Sequence, residues 1–137
     1  MAITSKEVVE KFLLSGYKNG DIQGMAALVH PDGVFHEAES LPFGGDWRGP
    51  EGLLSLIEAI TSQYTLSFRD LEVLDCGDRA IVKAIGTFVS KKSGASMDVP
   101  MAEVYTIRDG LILDADVYHK EAAQVAALHD AKVESQV

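Results

Sequence analysis

At 137 residues the chain is long enough for one ordinary domain with a real core and too short for two independent ones. Hydrophobic residues make up 47% and charged residues 24%, which excludes a disordered chain. A net charge of -9 excludes a surface built for a nucleic-acid backbone or an anionic membrane, so neither partner is expected.

The first helix opens at Thr4 and Glu7, which have capping-box spacing, and Val8, Val9, Phe12, Leu13 and Tyr17 keep a roughly helical period after them. Asn19-Gly20 stops it. Asp21 caps a short second helix over 22–29, which Pro31 ends. "PDG" at 31–33 reads as a turn and "VFHE" at 34–37 as a short strand. An irregular loop over 38–49 follows, and Pro50 suits the first turn of a third helix with Leu53, Leu54, Ile57 and Ile60 on one face. From there the period changes. Residues 64–74, 79–89, 96–107 and 111–119 alternate or are rich in β-formers, and "CGD", "KKSG" and "RDG" between them are turn chemistry. An alanine-rich closing helix over 121–131 completes the chain.

These elements predict one α+β domain over 1–137, with four strands joined as an antiparallel meander. Strands this long exceed the usual five or six residues and normally bend. A curved sheet wrapped on the first and third helices then encloses a conical cavity.

His36 and Glu37 are neighbours on a strand and point to opposite faces, so they do not form one catalytic pair. Either Phe35 and Glu37 face the cavity, or Val34 and His36 do. Glu37 reads as a base raised in pKa by an apolar pocket, or as a solvated strand-end carboxylate. At the 108–110 hairpin, a two-residue loop sets Glu103 opposite Asp116, an unfavourable like-charge pair. A three-residue loop instead pairs Ile107 with Leu111, Tyr105 with Leu113 and Met101 with Val117, and burial favours it. In that register Glu103 and His119 are polar members of an otherwise apolar face, open to a core or a catalytic role. Phe43 and Trp47 read as walls of a pocket or as plugs of the core. His30, His36, His119 and His129 lack HxH or HExxH spacing and Cys76 has no cysteine partner, so no metal, no cofactor and no internal disulfide are expected. The N-terminal "MAITSKEVVEKF" lacks a signal peptide's apolar block, and no apolar run is of spanning length, so a soluble, cytoplasmic protein is expected.

The stretches "NGDIQGMAALVHPDGVFHE", "WRGPEGLLSLI" and "PMAEVYTIRDGLI", in this element order, resemble the SnoaL-like and ketosteroid isomerase-like proteins of the nuclear transport factor 2-like superfamily. The resemblance implies a cone-shaped curved antiparallel sheet wrapped on N-terminal helices, a cystatin-like α+β barrel. It also implies a homodimer paired through the outer sheet face, which Tyr118 would suit. The general base of the isomerases falls at or beside Glu37, and His119 takes a pocket-lining position. Ala102 rather than Glu103 stands where the isomerases carry a protonated aspartate. Phe12 or Leu13 stands near their helical tyrosine, with Tyr17 one turn further on, so steroid isomerisation by that mechanism is not expected.

The resulting expectation is a cofactor-independent isomerase, cyclase, dehydratase or hydrolase acting on a small apolar carbonyl or polycyclic compound. Glu37, His119 and Glu103 are its catalytic candidates, and Tyr17, Phe35, His36, Phe43, Trp47, Met101 and Val117 its ligand-binding ones. The alternative is a non-catalytic ligand-binding or dimerisation module of the same fold.

Overall fold

The structure, a computed structural model, describes residues 3–131, apart from the side chain of Tyr17. Helix α1 (Ser5–Leu13) starts as its capping box requires, because the Glu7 N–H donates to Thr4 Oγ1 at 3.1 Å and the Thr4 N–H donates to the Glu7 carboxylate at 3.3 Å. It buries Val8, Val9, Phe12 and Leu13. Burying one such side chain fully is worth roughly 1.5–3 kcal/mol. A π-helical turn, Leu14–Lys18, carries the chain to Asn19-Gly20. Helix α2 (Ile22–Ala26) is capped by Asp21, whose carboxylate accepts from the Gly24 N–H at 2.9 Å. It is shorter than its sequence pattern predicts, because Val29 already pairs with Ile112 in the sheet.

Strand β1 (Val29–Glu37) absorbs the "PDG" expected to be a turn. The triplet lies within an irregularity between Val29 and Val34 where β1 changes register against β6. Gly33 is needed there, since a Cβ would lie 2.7 Å from the Ile112 carbonyl oxygen. Part of the expected loop is also a strand. Strand β2 (Gly45–Arg48) pairs with β1, setting Phe35 opposite Trp47 and Glu37 opposite Gly45. Helix α3 (Gly49–Gln63) has Pro50 in its first turn and buries Leu53 and Leu56.

Strands β3 (Tyr64–Cys76), β4 (Arg79–Ser90), β5 (Ser96–Arg108) and β6 (Leu111–His119) form the predicted meander. The sheet order is β2-β1-β6-β5-β4-β3, with β1 and β6 parallel and the other neighbours antiparallel. The edge strands β2 and β3 do not join, so the sheet curves without closing. Irregularities in β1, β3 and at the β5–β6 ladder supply local bends. The core lies between the concave sheet face, with Phe88, Val99, Tyr105 and Ala115, and the helices, with Val9, Phe12, Leu53 and Leu56. Helix α4 (Ala122–Ala127) and a 3-10 turn (Leu128–Asp130) close one end, where the Val125 carbonyl accepts from the buried Tyr64 hydroxyl at 2.8 Å.

The β5–β6 register differs from both sequence alternatives. The loop is Asp109-Gly110, with Arg108 opposite Leu111 and Ile107 opposite Ile112. The ladder then skips Leu113 and resumes with Thr106 opposite Asp114. The extra residue sets Glu103 opposite Val117 and Met101 opposite His119, avoiding the Glu103–Asp116 clash. It also turns Ile112, rather than Leu113, into the core, where it is fully buried.

Candidate functional site

Between the concave sheet face and the helices lies a cavity of about 260 Å³. Its apolar wall includes Phe12 from α1, Leu53, Leu56 and Ile60 from α3, and Phe35 and Phe88 from the sheet. Three acidic or basic side chains open into it, Glu37, Glu103 and His119. They come from β1, β5 and β6, which are adjacent in the sheet.

Strand alternation decides which side chains point inward. Phe35 and Glu37 line the cavity, and His36 lies on the other face. There its Nδ1 meets Asp46 and its Nε2 meets Asp114, each at 2.7 Å, so the ring ties β1 to β2 and β6. Burial alone would lower the His36 pKa, but the hydrogen bonds and charges of the two aspartates raise it overall. The expectation that His36 touches a ligand is thus corrected by a β1 register that gives the inner face to Glu37. Phe43, Met101 and Val117 also line the cavity. Trp47 is not among its lining residues; it packs half-buried on the core and donates from Nε1 to the Phe43 carbonyl at 3.0 Å, holding the loop that carries the Phe43 ring. Tyr17 falls in the π-helical turn, and its side chain lies outside what the structure describes.

The electrostatics of the polar end follow from dehydration. Burial raises the Glu37 pKa to about 8, with repulsion from Glu103 adding to it. Burial also raises Glu103 to about 7, opposed by the Tyr105 hydroxyl, which donates to Glu103 Oε1 at 3.0 Å and favours the anion. His119 is held down at about 4 by burial and is neutral, its ring edge-on to Phe88 at 5.9 Å. Glu37 Oε2 and His119 Nδ1 are buried without a hydrogen-bond partner. Both atoms lack the partner that buried polar atoms ordinarily have. Among the described residues, no three His, Cys, Asp or Glu side chains come together as a metal site.

The sequence reading missed Tyr105 as part of the site. The signal was present in "EVY", since Glu103 and Tyr105 stand two apart on one strand and share a face. The third helix walls the cavity as expected, with Leu53, Ile57 and Ile60 of the predicted face, but with Leu56 rather than Leu54 beside them.

Solved structures share this architecture. An NTF2-like protein from Burkholderia xenovorans LB400 superposes with a TM-score of 0.80 at 20% identity, covering 90% of this chain and 97% of that one. TerC, co-crystallised with polyporic acid, gives 0.77 at 20% identity over 91% and 97% of the two chains. A proposed polyketide cyclase from Pseudomonas putida KT2440 gives 0.72 at 19% over 90% and 97%. At these identities the likeness concerns the fold. No curated protein matches the sequence. The sequence itself carries the family signature over residues 9–115, from the first helix to the middle of β6, and so includes the strands that bear Glu37 and Glu103. With that match across most of its length and the open curved sheet around a central cavity, the chain belongs to the SnoaL-like domain family.

Proposed function

We propose that the protein is an enzyme that moves protons on a small, mainly apolar carbonyl compound, using Glu37, Glu103 and His119 and no cofactor. The observation that carries this reading is a pair of carboxyl groups facing one apolar cavity, both with pKa values near neutrality. Interacting carboxyls titrate as a pair in two steps, so near neutral pH they share about one proton. One member is then a base while the other is an acid.

The Tyr105 hydrogen bond favours the anion on Glu103, so Glu103 takes the proton from the carbon beside the substrate carbonyl. Glu37 keeps the shared proton and gives it to the carbonyl oxygen as the enol forms. This assignment departs from the sequence expectation, in which Glu37 is the base. Neutral His119, its Nδ1 unpartnered, orients the substrate oxygen through a hydrogen bond. Returning the proton at another carbon isomerises the substrate, and attack of the enol carbon on a second carbonyl closes a ring. The proposed polyketide cyclase and the polyporic acid complex among the structural neighbours are consistent with small carbonyl compounds as substrates. The same reading takes the chain as a single domain that pairs with a second copy through the outer sheet face, where Tyr118 is exposed.

The test is exchange of α-protons for deuterium in aryl methyl ketones, followed by NMR with the purified protein. The expected result is catalysed exchange with a bell-shaped pH profile, its limbs near the values of the carboxyl pair, at about 7 and 8. Glu103→Gln should lower the rate by roughly 100-fold or more. Ketones that bind with no exchange would leave a non-catalytic ligand-binding module as the better account.

A further inference from the structure

The charge and size of the same cavity narrow its ligand further. Among the described residues, no lysine or arginine lines it, and its acidic and basic side chains are Glu37, Glu103 and His119. The histidine lies in an apolar setting against Phe88 and supplies no cation. Arg48, the charged residue that follows Trp47, is exposed and stands 3.6 Å from Asp46, outside the cavity lining. The net charge of -9 adds a long-range repulsion of anions. A volume of about 260 Å³ lies just under the lower end, about 300 Å³, of ordinary ligand pockets.

We infer that the ligand is an uncharged compound of one or two rings, its carbonyl directed at Glu37, Glu103 and His119, and that carboxylate, phosphate and sulfate bearers are shut out. This inference rests on the acid–base reading of the site and names its substrate class. A ligand anion at the polar end would meet a carboxylate with no cation to offset it. Like charges brought together without a cation between them repel strongly. The anion enters only as the carboxyl pair takes up a further proton, so its affinity is tied to pH. A ketone oxygen instead accepts a hydrogen bond from protonated Glu37, whose Oε2 is unpartnered, or from His119, and brings no charge.

The experiment is calorimetric titration of the full chain with two compounds of matched shape, 2-acetylnaphthalene and 2-naphthoate, at about pH 8 and about pH 6. The ketone is expected to bind at least roughly 100-fold more tightly than the carboxylate at the higher pH. Affinity for 2-naphthoate is expected to rise at the lower pH, and the Glu37→Gln/Glu103→Gln variant is expected to narrow the preference by roughly tenfold. Equal or tighter binding of 2-naphthoate at about pH 8 overturns the inference. So does failure of both 2-acetylnaphthalene and acetophenone to bind. The exchange assay separates the two claims. Selective ketone binding without α-proton exchange removes the enzyme and leaves the charge selection, whereas exchange with equal carboxylate binding does the reverse.

Discussion

At the residue scale, the site is a competition between dehydration and hydrogen bonding. Glu37 and Glu103 bind protons more tightly in the folded state than a free carboxyl with its pKa of 4.5. Their contribution to stability is therefore complete below that value and is lost as the pH rises through about 7 and 8. His119 has the opposite sign. Its folded pKa of about 4 lies below the ordinary 6.5, so its contribution is present above 6.5 and lost as the pH falls toward 4. The two effects oppose one another in mild acid, leaving the interval from about 6.5 to 8 to the carboxyls and to His36, whose raised pKa acts in the same direction. Urea unfolding across that interval should show falling stability, with up to about 1.4 kcal/mol per pH unit for each proton that differs. The Glu37→Gln/Glu103→Gln variant retains His36 and should show a shallower fall; parallel curves would count against protonated carboxyls in the folded state. Tyr105→Phe removes the donor to Glu103 and should move the carboxyl NMR titration of that residue upward by about one unit.

At the element scale, irregular strands aim the functional side chains. The skipped Leu113 lets β6 present Val117 opposite Glu103 and His119 opposite Met101. The irregularity in β1 brings that strand alongside β6 so that Glu37 joins them on the concave face. Gly33 is the tightest point of this arrangement, as an added Cβ would also lie 2.9 Å from the His30 carbonyl oxygen. Both obstacles are backbone, one on β6 and one on β1 itself, so Gly33→Ala must shift β1 from β6 and distort β1 locally. A cost of about 1–3 kcal/mol is expected, which corresponds to a Tm lower by roughly 5 °C or more. Ligand affinity should fall as well, because Glu37 travels with β1. Unchanged Tm and affinity would show that the strands part without disturbing the site. Trp47 belongs to this scale too, its indole fastening the loop behind Phe43.

At the scale of the whole molecule, an open sheet has two sides with different tasks. The concave side encloses the cavity, while the convex side presents Tyr118, 55% exposed, with its hydroxyl donating to Asp116 at 2.7 Å. The proposed homodimer would use this convex face and leave the cavity mouth free. Light scattering coupled to size exclusion should then report a dimer for the native chain and a shift toward monomer for Tyr118→Glu, which adds charge beside Asp116 and Asp114. A native monomer would sink the proposal without touching the site on the opposite face. Among the described residues, no helix is long and apolar enough to cross a membrane.

The sequence by itself determined what depends on near neighbours along the chain. Thr4 and Glu7 set the start of α1, the two-residue period after residue 64 produced four strands at nearly their observed bounds, and Met101, Glu103 and Tyr105 shared a face in any register that kept them in one strand. The open choices were those settled by distant partners. A four-residue β2 has too little periodicity to announce itself and exists because β1 offers an edge to pair with. "PDG" has turn chemistry, yet pairing with β6 drew it into a strand. The alternation of His36 and Glu37 was legible, but which one turns inward depended on the tertiary register of β1 against β2 and β6. The meeting of Glu37 with Glu103 likewise spans strands that β6 separates, so their raised pKa values arise from an apolar enclosure that only the assembled fold creates.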